Sequence, residues 1–192
     1  KSPSGKVPIT FPKVVGQIPI YYNHKSTGRP PREDSFVHMD DIPVRAWQTS
    51  LGNESHYIDA GFKPQFPFGF GLSYTAFDYS DVKISKSTIK LGEEFTVSAK
   101  ITNSGDVSAD EIVQLYTHDV TASITPPVKE LKGFQRITLK PGESKVVEFY
   151  LHTNDLAFYN QDMQEVTEPG KFEFWIAPDS DSGDSVEFEV VE

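Results

Sequence analysis

The glycines of PFGFGLSYTAF, residues 67–77, sit among aromatic rings, and a glycine-rich turn is one of the few short patterns that can do chemistry through its backbone. When such a turn opens a helix, its N–H groups cradle a phosphate. Here Gly69 and Gly71 are followed by Tyr74 where the third glycine of a dinucleotide fingerprint belongs, and no helical periodicity comes after. The phosphate reading fails. Metal chemistry has no better footing: His24, His38, His56, His118 and His152 include no pair at the i, i+4 separation of a helical zinc site, and without cysteine no thiolate site can form. PDSDSGDS, residues 178–185, begins like a calcium loop at Asp179 and Asp181. Its glycine is fifth instead of sixth, however, and Val190 stands where a bidentate Glu is needed, so it reads as a hairpin turn. SPSGK, residues 2–6, lacks the pattern of a nucleophilic serine elbow. The expectation is a chain with no catalytic residue, no cofactor-binding residue and no metal ligand.

The elements around these residues are strands. In EFTVSAKITNSGD, Phe95, Val97, Ala99 and Ile101 alternate with Thr96, Ser98, Lys100 and Thr102, which predicts one buried and one wet face. ADEIVQLYTHDV follows with Ile112, Val113, Leu115 and Tyr116 too closely spaced for clean alternation, as in a central strand. FDYSDVKIS, KELKGFQRITL, ESKVVEFYL, GKFEFWIA and DSVEFEVVE complete a set of about seven, and the Pro-Gly pairs of KPGES and TEPGK predict tight turns. Lys129 and Lys132 beside Glu130 predict a solvated strand edge that discourages sheet-to-sheet pairing. The fold class is therefore mainly β, a fibronectin type III-like (immunoglobulin-like) sandwich.

The first seventy-odd residues differ. SGKVPITFP and GQIPIYY are short apolar stretches laced with proline, and HKSTGRPPREDSFVHMDD is polar loop. So long a stretch without regular structure is expected to serve something outside itself, as an arm packed on a body beyond this chain. The formal net charge of −10 and pI near 4.9 argue against nucleic acid and anionic lipid as partners, leaving an uncharged glycan or a protein. No apolar run approaches the roughly 20 residues of a membrane helix. There is no signal-peptide pattern and the chain opens at Lys1 without methionine, so it reads as a piece of something longer.

PSGKVPITFP, VGQIPIYYNHKSTGRP, FPFGFGLSYTAFDYSDV, IVQLYTHDVTASITPPVKELKGFQRITLKPGES and EPGKFEFWIAPDS, in that order, resemble the C-terminal part of a glycoside hydrolase family 3 β-glucosidase, most of all the bacterial periplasmic type. The resemblance implies a parent with a barrel, an α/β sandwich and a fibronectin type III-like domain. Residues 1–23 would then be the C-terminal end of the α/β sandwich, 24–74 the connecting arm and interdomain joint, and 75–192 the fibronectin-like domain, able to fold alone. Phe66, Phe68, Phe70 and Tyr74, each able to bury about 150 to 250 Å², would seal the joint, unless these rings cap the local sandwich core.

The family's retaining mechanism uses two carboxyls about 5 to 5.5 Å apart. The resemblance implies a nucleophilic Asp in a Ser-Asp-Trp context on the barrel and a Glu acid/base from the second domain. Neither has a match: Ser80 and Asp81 are followed by Val82, and Asp81 is expected on the surface. The parent would thus be a hydrolase for terminal β-linked glucose or a related sugar, periplasmic or secreted, with this chain inactive by itself. Its partners would be the upstream barrel and α/β domains, the sugar through the parent, and a second copy in a homodimer. His24, Arg29 and Tyr57 of the arm are candidates for the rim of that distant site. The rival is an autonomous binding module, for carbohydrate if Tyr150, Phe172, Phe174 and Phe188 were exposed in a row, or for protein.

Overall fold

The computed structural model describes residues 1–34, 36–47, 54–57 and 59–192. Among these residues ten strands run in chain order: β1 Phe77–Ile84, β2 Thr88–Lys90, β3 Glu94–Asn103, β4 Ala109–Asp119, β5 Glu130–Leu139, β6 Ser144–His152, β7 Phe158–Tyr159, β8 Glu165–Val166, β9 Gly170–Ala177 and β10 Val186–Val191. The seven long ones are those expected. They build a sandwich of a three-stranded sheet, β1-β3-β6, on a five-stranded sheet, β2-β10-β9-β4-β5, with β7 and β8 as a separate small hairpin. The only helical turns among the described residues are 3₁₀, at Val15–Gln17, Met39–Asp41 and Thr153–Leu156. Among the described residues no helix is long and apolar enough to cross a membrane.

Alternation places the core. On β3, Phe95, Val97, Ala99 and Ile101 are buried, and they face Val147, Phe149 and Leu151 of β6 on the same inner surface. Phe172 and Phe174 of β9 and Phe188 of β10 close the other side, with Phe188 5.4 Å from Phe95 and 5.5 Å from Phe172 between ring centroids. Each such side chain contributes about 1.5–3 kcal/mol by leaving water. The Pro141-Gly142 turn joins β5 to β6 with Gly142 at φ +75°, a conformation that glycine reaches at no steric cost. The other Pro-Gly pair is not a turn, because Gly170 is already the first residue of β9, opposite Val190. Asp81 lies exposed on a bulge of β1 at φ +53°, on the surface as expected.

β4 is central, between β9 and β5, and is buried on both faces. Val113 and Leu115 point into the core, while Gln114 and Tyr116 point outward and are nonetheless only 3% and 0% exposed. The cover on that outer face comes from the chain's own first seventy residues. Residues 7–11 and 66–70 pair with one another, with Phe70 O accepting from Val7 N at 2.9 Å and Phe66 O from Phe11 N at 2.9 Å. Further along, His24 O accepts from Val128 N at 2.8 Å. The arm therefore packs on this sandwich, whatever else it meets.

Candidate functional site

The densest construction outside the core surrounds the two glycines of PFGFG. Gly69 is at φ +81°, and a Cβ on it would stand 2.1 Å from Gln114 Oε1. Gly71 approaches the chain almost as closely, since its Cβ would lie 2.7 Å from Gly5 O. What these glycines admit is polypeptide, not phosphate. Gln114 acts as the hub: its Nε2 donates to Gly69 O at 3.1 Å and also to Pro178 O, while its Oε1 accepts from the Tyr116 hydroxyl at 2.6 Å. Ser180 N donates to Phe68 O at 3.0 Å, so the loop between β9 and β10 is tied to the same stretch.

The rings pack in the pattern this backbone dictates. Phe68 stacks on Tyr22 at 4.3 Å, Tyr22 meets Tyr116 edge-on at 5.9 Å, and Phe66 lies 4.9 Å from Phe70. Phe68 and Phe70 are half-buried, whereas Phe66, Leu72 and Tyr74 remain exposed. Among the described residues, none of the four expected joint rings is part of the sandwich core.

A buried polar triad anchors the first residues at the open end of the sandwich. Glu111 on β4 accepts from Lys6 Nζ at 3.0 Å and from the Tyr79 hydroxyl of β1 at 2.9 Å. Burial, reinforced by the Glu111 carboxylate, pushes the Tyr79 phenol far above its ordinary range. Nothing in the sequence pattern marks this triad, whose members stand 105 and 32 positions apart.

Lys129 corrects the expectation of a solvated lysine edge. β5 is an edge strand, but Lys129 Nζ is folded inward, 4.3 Å from the Trp175 ring centroid and donating to Ser180 O at 2.7 Å. Burial lowers its pKa. Lys132 is likewise mostly covered, and pairs with Glu130 at 3.3 Å. The aliphatic stems explain both, because they pack on apolar surface when the charge finds a partner.

His24 and Tyr57 do converge, lining an open cavity of about 750 Å³ with Tyr21, Lys25, His56 and Phe62. Tyr57 is held there by its hydroxyl, which donates to Pro19 O at 2.9 Å. Arg29 is not in that lining, and its carbonyl accepts from Ser55 N at 3.1 Å. The remaining histidines have structural contacts: His38 and His152 accept from Asp40 N and Asn154 N, His118 Nδ1 lies 2.9 Å from Pro127 O, and His56 meets Phe36 edge-on. Among the described residues no cluster of three His, Asp or Glu side chains could hold a metal ion. Residues 178–185 are the turn between β9 and β10, where Asp179 Oδ1 accepts from Asp181 N at 3.0 Å. Of the four aromatic residues that a sugar-binding sheet face would need, Phe172, Phe174 and Phe188 are in the core and Tyr150 is 77% exposed.

Residues 111–180, from β4 to the loop after β9, match the family model of the fibronectin type III-like domain. Over 179 residues the chain is 45% identical to the periplasmic beta-glucosidase of Salmonella typhimurium, covering 93% of this chain and 22% of that protein. It is 39% identical over 183 residues to a beta-xylosidase of Formosa agariphila, covering 95% of this chain and 22% of that one. Among solved structures, the beta-glucosidase of Listeria innocua in complex with glucose superposes with a TM-score of 0.84 at 39% identity, over 98% of this chain and 24% of the other. The chain thus spans between a fifth and a quarter of the length of these relatives.

Proposed function

Since the chain is a C-terminal segment of a family 3 β-glucosidase-like protein and carries its fibronectin type III-like domain, we propose that it is the non-catalytic scaffold and docking end of a retaining glycoside hydrolase. The parent removes terminal β-linked glucose or a related sugar in the periplasm or outside the cell. A β-xylosidase stands among the relatives beside the β-glucosidases, so the sugar is read by residues other than these. One observation supports the docking role above the rest. Ile9, Val14, Val15, Ile18, Val44 and Trp47 are all exposed, within an arm that is nevertheless fixed to the sandwich through Gln114, Glu111 and Val128. A run of apolar side chains held outward on an anchored strap is what an interface with a neighbouring domain requires. His24 and Tyr57, at the cavity in that strap, are the residues we place closest to the rim of the parent's active site.

The test is reconstitution. The chain alone should not hydrolyse aryl β-glucosides, whereas the parent lacking it should lose activity or solubility and regain it when the chain is added in trans. Turnover by the purified chain that disappears on changing one of its own Asp or Glu residues would sink the reading. So would a parent indifferent to removal of the segment.

A further inference from the structure

We propose that the groove between the β5 and β6 edges binds a neutral oligosaccharide. These strands are the free edges of the two sheets on one side of the sandwich, and between them opens a groove of about 490 Å³. Phe134 of β5 and Tyr150 of β6 stand at it with 65% and 77% of their surface exposed, whereas Phe95, Phe172, Phe174 and Phe188 are buried. Between them Gly133 brings the β5 backbone close to Phe149 of β6, since a Cβ there would lie 3.2 Å from Phe149 Cδ1. The Tyr150 hydroxyl donates to Glu148 Oε2 at 2.8 Å, which holds its ring along the strand. Gln135 spans the two edges, its Nε2 donating to Glu148 O.

This arrangement favours a sugar over other ligands. A pyranose presents C–H faces that pack on aromatic faces and hydroxyls that need hydrogen-bonding groups nearby, here the Glu148 carboxylate and the Gln135 amide. An anion is disfavoured, because Glu148 is the one charged side chain lining the groove. Addition of a peptide strand to β6 is disfavoured too, since the Glu148 carbonyl is already occupied by Gln135. The groove is lined by β5 and β6 of the fibronectin-like domain, and Phe134 also lines a second cavity with Gly5, Lys6 and Val7 of the strap. Only the choice of glucan and xylan as probes rests on the hydrolase reading above.

The experiment is affinity electrophoresis and calorimetry of the 192-residue chain with barley mixed-linkage β-glucan and with xylohexaose. Retardation by at least one of them is expected, with Phe134→Ala and Tyr150→Ala each weakening binding by at least about tenfold, as for an anchoring ring. Tyr150→Phe should retain most of the affinity. Both rings are exposed, so the alanine variants should keep the wild-type melting temperature, and binding loss can be separated from unfolding. Absence of binding to both glycans overturns the proposal, as does equal binding by wild type and Tyr150→Ala. Concentration-dependent self-association that Tyr150→Ala abolishes would overturn it in favour of a protein interface. Glycan binding by the chain with a parent inactive on β-glucosides would keep the groove and remove the hydrolase reading; the reverse pair of results would do the opposite.

Discussion

The sandwich and the strap that precedes it treat apolar side chains in opposite ways. In residues 77–191 the large apolar residues alternate into a shared core, and Ile89, Val97, Ile101, Val113, Leu115 and Phe174 are wholly buried. Among the described residues of 1–74 several are instead held outward: Val15 is 84% exposed, Val44 94% and Trp47 94%. Yet the strap is not loose, since it lies on the sheet through the Gly69–Gln114 contact and the Lys6–Glu111 pair. Burial and anchorage are therefore separable. The sandwich is stable because its apolar surface is internal; the strap is positioned by polar and backbone contacts and by the Tyr22 and Phe68 rings, which leaves Val15, Val44 and Trp47 available to another surface.

The largest effect should follow from emptying the core. Phe174→Ala removes a fully buried ring between two sheets, and should cost about 3–5 kcal/mol in a denaturant melt of the chain. A loss below about 1 kcal/mol would mean that the strap, and not the core, carries the stability. Next comes the seam between the two regions. Gly69→Ala combines a disfavoured positive φ with a clash against Gln114, and should cost about 2–4 kcal/mol. Its signature should be regional: hydrogen exchange should speed up in residues 5–11 and 66–70 before it does in β3. Uniform acceleration would dissolve the distinction between strap and sandwich.

How much of this was legible depends on the range over which each interaction acts. Period-two alternation in β3 fixed its inward face, because consecutive side chains on a strand point to opposite sides. The irregular spacing of Ile112, Val113, Leu115 and Tyr116 marked a strand buried on both faces, but not that the arm covers its outer side. The closeness of Gly69 to Gln114 spans 45 positions and that of Lys6 to Glu111 spans 105, so no local pattern encodes either. Lys129 was misread for a related reason. Its charge is visible in sequence, whereas the Trp175 ring and Ser180 carbonyl that draw it inward come from β9 and the loop beyond. At the groove, Tyr150 stood out as a strand aromatic; Phe134 and the close approach of Gly133 to Phe149 needed the folded edge.

A smaller effect tests the end of β4, where the sandwich tolerates a poorly placed charge. Asp119 Oδ1 accepts from Thr121 N, but its buried Oδ2 has no partner among the described residues, and burial raises the carboxyl pKa. A folded-state pKa above the unfolded value means that this group contributes stability at low pH, and the contribution is lost as pH rises through the folded value. Asp119→Asn keeps an acceptor for Thr121 N and carries no charge. It should raise stability at neutral pH by less than about 1 kcal/mol, with the gain vanishing below about pH 4, the ordinary carboxyl range. A gain that grew toward acid pH would reverse the assignment.

The smallest effect bears most directly on the comparison. Val15→Ser and Val44→Ser remove apolar side chains that touch almost nothing in this chain, and surface changes of that kind shift stability by no more than about 0.5 kcal/mol. In the isolated chain their melts should overlay the wild type. In the parent the same substitutions should lower the yield of trans-reconstituted activity and raise the concentration of chain needed to reach it, because there they remove contacts made only on docking. Destabilisation of the isolated chain by more than about 1 kcal/mol would show that these side chains support the strap itself. Unchanged reconstitution with both variants would leave the outward apolar row without a partner, and the contrast between the two regions would then reflect sandwich packing alone.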